Sequence, residues 1–154
     1  MWRKIHQKYG TKYKAFVKVD DDTIVFYDQF TRKMQSSPFP FFGNFKQYYQ
    51  PEKDGIPWIT GCFYGFSANT LKTLVNALKN KKNKQEFLSR GSAEDVSVSV
   101  LLSKMKIQPA HWKEIKVWNG IRTFKEILFR KERPVCIGNL TTFYLKIMYL
   151  LLKR

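Results

Sequence analysis

The stretch F-V-K-V-D-D-D-T, residues Phe16–Thr23, combines a predicted strand with a cluster of acids that marks a candidate site. Its first part is rich in β-branched and aromatic residues, so we expect a strand over Tyr13–Val19. Three adjacent carboxylates, Asp20, Asp21 and Asp22, end that strand and repel one another unless water or a cation neutralises them. Because carboxylate oxygens are preferred ligands of Mg²⁺ and Mn²⁺, the triplet is either a cation site or an exposed acidic turn.

A second segment, P-W-I-T-G-C-F-Y-G-F-S, covers Pro57–Ser67. We expect a strand or turn over residues 58–66, in which glycines let the backbone approach another group closely. A helix with apolar side chains at i, i+3, i+4 and i+7 is predicted to open at Thr70. The Lys/Asn run at residues 79–84 then predicts a solvated surface segment.

A third segment, E-D-V, covers Glu94–Val96 in the first turn of a helix predicted to begin at Ser92. Ser92 and Asp95 satisfy a capping-box spacing, and acids in a first turn stabilise a helix. A paired carboxylate at such a place can also serve acid–base chemistry, so both interpretations stay open. Short strands that alternate with helices predict an α/β fold.

The composition excludes several classes of protein. Of 154 residues, 44% are hydrophobic and 16% aromatic, which excludes a disordered or low-complexity chain. No apolar run reaches the roughly 20 residues that a bilayer-spanning helix needs. The polar first ten residues lack the apolar core of a signal peptide. We therefore expect a cytoplasmic or peripheral membrane protein.

The charge of the chain indicates what it attracts. The net charge of +16 favours anions, which include nucleic acid, anionic lipid and phosphorylated substrates. Without a zinc pattern or an RNP-like aromatic strand, we expect no specific nucleic-acid partner. A shift in composition divides the chain into a main part, residues 1–118, and a basic amphipathic helical tail, residues 119–154. The tail either makes a peripheral membrane contact or packs on the rest of the chain.

Taken in order, the three segments resemble the β-1,3-galactosyltransferase and Fringe-like glycosyltransferases. That family has a strand ending in D-D-D, a P-Y-x-x-G-x-x-Y-x-x-S segment, and E-D-V at a helix followed by G-I-x-P. Here Trp58 stands in place of the usual Tyr, and Ser99 in place of a common Gly. The resemblance covers residues 14–109. It implies a partial GT-A-like α/β fold, with residues 1–118 as a partial catalytic domain.

The resemblance implies a metal and nucleotide site at the triplet. Asp20, Asp21 and Asp22 would bind the diphosphate of a nucleotide sugar together with Mn²⁺ or Mg²⁺. Asp22 would be the best direct metal ligand, with Asp20 and Asp21 contacting nucleotide or metal. Family members often use a late His as a further metal ligand, and His111 is the candidate for that role, unless it is an ordinary surface or packed residue.

The resemblance also implies a catalytic base. Asp95 would remove the proton from the acceptor hydroxyl, with Glu94 supporting it. Gly61, Cys62 and Tyr64 would line the site for the donor sugar and the acceptor.

One departure concerns the nucleotide-binding half of the family fold. A βαβ region of roughly 100 residues normally precedes the triplet, whereas 19 residues precede it here. We therefore expect a fragment, a partner that supplies this half, or reduced donor binding.

The expected function is metal-dependent, inverting transfer of a hexose from a UDP-sugar to a hydroxyl of a glycan, glycoprotein or glycolipid. The alternatives are a non-catalytic basic module for an anionic membrane or nucleic acid, and an inactive transferase fragment.

Overall fold

The computed structural model describes residues 1–36, 39–46, 58–89, 94–117, 134–138 and 140. Within these residues the chain is a mixed α/β structure with five helices and two mixed sheets. The elements in chain order are α1 (Trp2–Tyr9), β1 (Ala15–Val19), β2 (Ile24–Val25), α2 (Tyr27–Ser36), β3 (Phe41–Lys46), β4 (Trp58–Ser67), α3 (Ala68–Ala77), α4 (Lys81–Ser89), α5 (Glu94–Lys104), β5 (Ala110–His111), β6 (Ile115–Val117) and β7 (Cys136–Gly138).

The main sheet has four strands in the order β1-β4-β3-β5. β4 lies between β1 and β3 and runs antiparallel to both, while β5 is parallel to β3. Consequently β1, β3 and β5 all finish at the end of the sheet where β4 begins. The acidic triplet follows β1 at this end.

β4 is irregular close to that end. Gly43 of β3 pairs with Tyr64, but Phe45 pairs with Ile59, so β3 advances by two residues while β4 advances by five. Extra residues on one strand form a bulge that interrupts the ladder and redirects backbone groups. Gly61 lies in this irregular part, which places its backbone outside the regular pairing.

One face of the main sheet packs against the helices α1, α3 and α5. Phe66 of β4, Leu71 and Leu74 of α3, and Leu102 of α5 are fully buried in this cluster. Burying one such side chain contributes about 1.5–3 kcal/mol. The predicted helix near Thr70 is confirmed as α3, which begins at Ala68. The Ser67 hydroxyl caps this helix by accepting a hydrogen bond from the Thr70 amide.

The second sheet has the order β2-β7-β6 and packs with the opposite face of the main sheet. Its cluster includes the stacked rings of Phe42 and Trp112, whose centroids are 4.2 Å apart. β7 belongs to the part that the sequence assigned to a helical tail, residues 119–154. Its residues are instead a buried strand, since β2 and β6 offer hydrogen-bonding partners on both sides. Of the other tail residues, Pro134, Val135 and Leu140 are described and buried, and the rest lie outside the described residues.

None of the described helices is both long enough and apolar enough to cross a bilayer.

Candidate functional site

The strand end that carries the triplet is fixed by Lys18. Lys18 and Asp20 are two residues apart and therefore project to the same side of β1. The Lys18 ammonium forms an ion pair with the Asp20 carboxylate and donates a hydrogen bond of 2.6 Å to the Gly61 carbonyl. The Asp20 amide donates to the Cys62 carbonyl at 3.0 Å. Asp20 is thus attached to β4 through both its side chain and its backbone.

The other two acids of the triplet differ in exposure. Asp21 is exposed, while Asp22 is half-buried and its carboxylate accepts a hydrogen bond of 3.4 Å from the Thr23 hydroxyl. The Thr23 amide donates to the Asp20 carbonyl, and the Leu140 amide donates to the Asp22 carbonyl. The triplet is therefore a hydrogen-bonded turn in which Asp21 is the most exposed of the three acids.

Asp95 lies directly over Gly61. A Cβ atom built on Gly61 would be 3.0 Å from Asp95 Oδ2, which is closer than most real contacts. The other carboxylate oxygen, Oδ1, accepts a hydrogen bond of 2.9 Å from the Val96 amide. Because residue 61 is a glycine, the Asp95 carboxylate can approach the strand this closely. Its Oδ2 atom therefore lies beside the irregular part of β4.

Glu94 has different surroundings from its neighbour. One of its carboxylate oxygens, Oε1, accepts a 2.8 Å hydrogen bond from the indole nitrogen of Trp2 and a short one from the Tyr64 hydroxyl. Burial, and then the negative charge of Glu94, raise the pKa of Tyr64, so the phenol keeps its proton and donates it. Glu94 thereby anchors the start of α5 to β4 and to α1.

Ser99 provides a second link between α5 and β4. Its hydroxyl accepts a hydrogen bond of 3.1 Å from the Ile59 amide and donates one of 2.8 Å to the Asp95 carbonyl. Ser99 is 3% exposed, so both bonds are shielded from water. Ser99 is therefore part of the framework that holds the start of α5 and the backbone of Asp95.

Two residues expected to line a donor site are core residues by their side chains. Tyr64 is 0% exposed and Cys62 is 2% exposed. Cys62 lies against Gly138 and belongs to the same cluster as Cys136, the pKa of whose thiol is raised by burial and then by the proximity of Cys62. At the site, Cys62 contributes its backbone carbonyl and Tyr64 contributes its hydroxyl bond to Glu94.

His111 lies at the opposite edge of the main sheet from Asp20. The register places Lys18 opposite Tyr64, Tyr64 opposite Gly43, and Gly43 opposite His111. Three strand spacings of about 4.8 Å put His111 roughly 14 Å from Lys18. Its role as a metal ligand stays a prediction, and the sheet by itself does not bring it to the triplet.

The triplet offers ligand atoms of the type that a hard divalent cation prefers, but it offers too few of them to complete the coordination shell. Mg²⁺ and Mn²⁺ prefer carboxylate oxygens and take about six ligands. Asp20 is engaged by Lys18, which leaves Asp21 and Asp22 as the available carboxylates. In the described part of the chain, no three or more His, Cys, Asp or Glu side chains form a group that could hold a metal. Such an ion would need further oxygens from water and from a diphosphate.

Sequence reasoning found the acids of the site but missed the residues that hold them. The alternation of a strand could have found Lys18, since it lies two residues before Asp20. Trp2 is separated from Glu94 by 92 residues, and the sequence carries no signal for that contact.

The three sequence segments thus meet at one end of the main sheet, with Asp95 over Gly61 and Lys18 joining Gly61 to the triplet. Compared with protein-family models and with curated proteins, the chain gives no match.

Proposed function

We propose that this chain is the metal- and acceptor-side part of a hexosyltransferase. It would move a hexose from a nucleotide-diphosphate sugar, with UDP as the expected nucleotide, to a hydroxyl of a glycan, glycoprotein or glycolipid. The observation that supports this most directly is the position of Asp95 over Gly61, because Gly61 is also bonded to the lysine that pairs with Asp20. A candidate base and a candidate diphosphate anchor therefore share one end of the sheet.

Asp95 acts as the general base. Its Oδ1 atom is engaged by the Val96 amide, so Oδ2 is the atom that accepts the proton of the acceptor hydroxyl. A carboxylate placed within hydrogen-bonding reach of an attacking hydroxyl contributes typically 10²–10⁴-fold to a rate. One base suffices when the hydroxyl displaces the diphosphate directly, and this direct displacement inverts the configuration of the sugar.

The leaving diphosphate gathers negative charge and must be neutralised. A Mn²⁺ or Mg²⁺ ion held by Asp21 and Asp22 would supply that neutralisation when bound. The Lys18 ammonium lies on the same strand end, and the chain as a whole carries +16, which attracts an anionic donor from solution.

Gly61 keeps the space between base and strand open. Any side chain there would push against the Asp95 carboxylate. The Ser99 hydroxyl holds the backbone of Asp95 by donating to its carbonyl, and the Val96 amide donates to the carboxylate itself. The backbone of β4 between Gly61 and Tyr64 therefore forms the floor of the proposed site.

The test is the Asp95→Asn substitution, measured as release of UDP from a UDP-hexose with Mn²⁺ and a hydroxyl acceptor. Asn keeps the size and the capping ability of Asp but cannot take up a proton, so the rate should fall about 100-fold or more. Binding of UDP should not change. Unchanged UDP release would show that Asp95 only stabilises its helix.

A matched control separates these two roles. Asp28 occupies the first turn of α2 and is exposed, so Asp28→Asn makes the same chemical change at a helix start that belongs to none of the three segments. The Asp28 variant should keep the rate of the unmodified chain. An equal loss in both variants would contradict a special role for Asp95.

A further inference from the structure

Lys18 is the cation already present at the proposed site. Its ammonium pairs with Asp20, donates to the Gly61 carbonyl at 2.6 Å, and lies 5.9 Å from the centroid of the Tyr64 ring. An ammonium group has three donors, and these two acceptors fix it in one place. The side chains of Lys18 and Asp20 are 20% and 34% exposed, so water screens the pair only in part.

This arrangement has a consequence for divalent cations. An ion that used Asp20 as a ligand would have to displace the ammonium and would leave Lys18 beside it, where two positive charges repel each other. Asp21 and Asp22 alone supply too few oxygens, because Mg²⁺ and Mn²⁺ take about six. The described residues offer no group of three ligands that would complete the shell.

A diphosphate would relieve both the shortage of ligands and the repulsion between the ion and Lys18. Its oxygens add ligands for the metal, and its negative charge is attracted by the same ammonium that repels the metal. The nucleotide and the ion therefore stabilise each other at a site that suits neither well alone.

We propose that Lys18 is the built-in counter-ion of Asp20, which withholds this carboxylate from divalent cations so that a metal binds only together with a diphosphate. This inference rests on the proposed function, since it concerns how the donor and its metal bind. It assigns Lys18 a positioning role. Asp20 is then an anchor, which means a residue that holds Lys18 in place and does not bind the metal.

The experiment measures Mn²⁺ binding by the electron paramagnetic resonance signal of the unbound ion, first without nucleotide and then with UDP. The unmodified chain should bind Mn²⁺ weakly alone and at least about ten-fold more tightly with UDP, since the nucleotide adds oxygens. Lys18→Met should bind Mn²⁺ alone about ten-fold more tightly than the unmodified chain, because it releases Asp20 and removes a positive charge. Its gain on addition of UDP should be correspondingly smaller.

The matched control is Lys33→Met. Lys33 is also a partly exposed lysine in an ion pair, with Glu114 at 2.8 Å, and its loss changes the net charge equally. Lys33→Met should bind Mn²⁺ as the unmodified chain does. If Lys18→Met and Lys33→Met bind Mn²⁺ alone with equal affinity, the counter-ion role of Lys18 is wrong.

Two further results keep the inference separate from the proposed function. Tighter Mn²⁺ binding by Lys18→Met, with no effect of UDP on any variant, would support the Lys18–Asp20 role and contradict both the coupling to diphosphate and the transferase. A second comparison does not need the Lys18 variant to fold: Asp20→Asn should weaken Mn²⁺–UDP binding far less than Asp22→Asn. Equal weakening by these two substitutions would overturn the assignment of Asp20 as an anchor.

Discussion

The neighbouring carboxylates of Glu94 and Asp95, at the start of α5, have different surroundings. Glu94 accepts hydrogen bonds from Trp2 and Tyr64 and faces the packed interior, whereas Asp95 faces the glycine of β4. A charged acceptor in such surroundings stays stable only while its donors are present. Glu94 therefore supports the fold, and Asp95 is the residue to which the proposed function assigns the role of base.

Tyr64→Phe tests this division at the residue scale. The ring and its packing remain, but Glu94 loses a donor, so the free energy of unfolding should fall by about 1.5–3 kcal/mol, the range for hydrogen bonds to charged groups. Tyr13 is 58% exposed, and Tyr13→Phe should change stability by less than about 0.5 kcal/mol. Chemical denaturation of both variants measures the difference. Equal stabilities would mean that the Tyr64 hydroxyl contributes nothing net to the fold.

The acids of the candidate site could be singled out from the sequence because their types are unusual in their local surroundings. Three adjacent acids in a chain of net charge +16 are conspicuous, and an acid pair opening a helix is a recognisable pattern. The partners of these acids could not be predicted, because an indole or a lysine that packs well looks like any core or surface residue. The contact between Trp2 and Glu94 exists only once the helices have assembled on the sheet.

At the scale of elements, the link between α5 and β4 holds the proposed base. The Ser99 hydroxyl bonds the Ile59 amide, which lies where β4 departs from regular pairing with β3. A buried amide in an irregular strand needs an acceptor outside the ladder. The hydroxyl supplies it and passes a second bond to the carbonyl of Asp95.

Ser99→Ala should leave the Ile59 amide without this acceptor. The expected loss of stability is about 1–3 kcal/mol, the usual cost of a buried unpaired donor. Ser89 is exposed and bonds only the Glu86 carbonyl within its own helix, so Ser89→Ala should cost less than about 0.5 kcal/mol. Thermal unfolding of the two variants compares them. A Ser99 variant as stable as the Ser89 variant would show that this link is not required.

Elements with a strong local signal were predicted well, whereas one helix was not predicted. The strand before the triplet is confirmed as β1, the helix near Thr70 as α3, and the helix after Ser92 as α5, whose predicted start at Ser92 lies outside the described residues. The Lys/Asn run at residues 79–84 lies on the surface as predicted, but α4, which begins within it at Lys81, was not predicted. Lys, Gln and Glu are good helix formers, and Phe87 on the same helix packs against the core cluster.

At the scale of the whole molecule, the second sheet depends on pairing between strands that are distant in the sequence. β7 lies between β2 and β6, and it pairs residues near position 24 with residues near position 137. No local period predicts such a pairing, because a strand of three residues carries almost no signal of its own. The sequence division at residue 118 therefore separated a strand from the sheet to which it belongs.

The net charge of +16 acts on the same scale and is compatible with two partners. A transferase uses the field to attract an anionic donor, whereas a basic binding module uses it to hold an anionic surface. The two differ in how binding depends on a metal. Binding that comes from charge alone weakens steeply with salt and does not depend on Mn²⁺.

Calorimetric titration of UDP into the full chain, with Mn²⁺ and then with a chelator, tests the central claim most directly. We predict heat of binding only with Mn²⁺, its loss in Asp22→Asn, and its retention in Asp28→Asn, which lies outside the triplet. Equal heat in the presence of chelator, or an Asp22 variant that binds as well as the Asp28 variant, would contradict a metal-dependent donor site at the triplet.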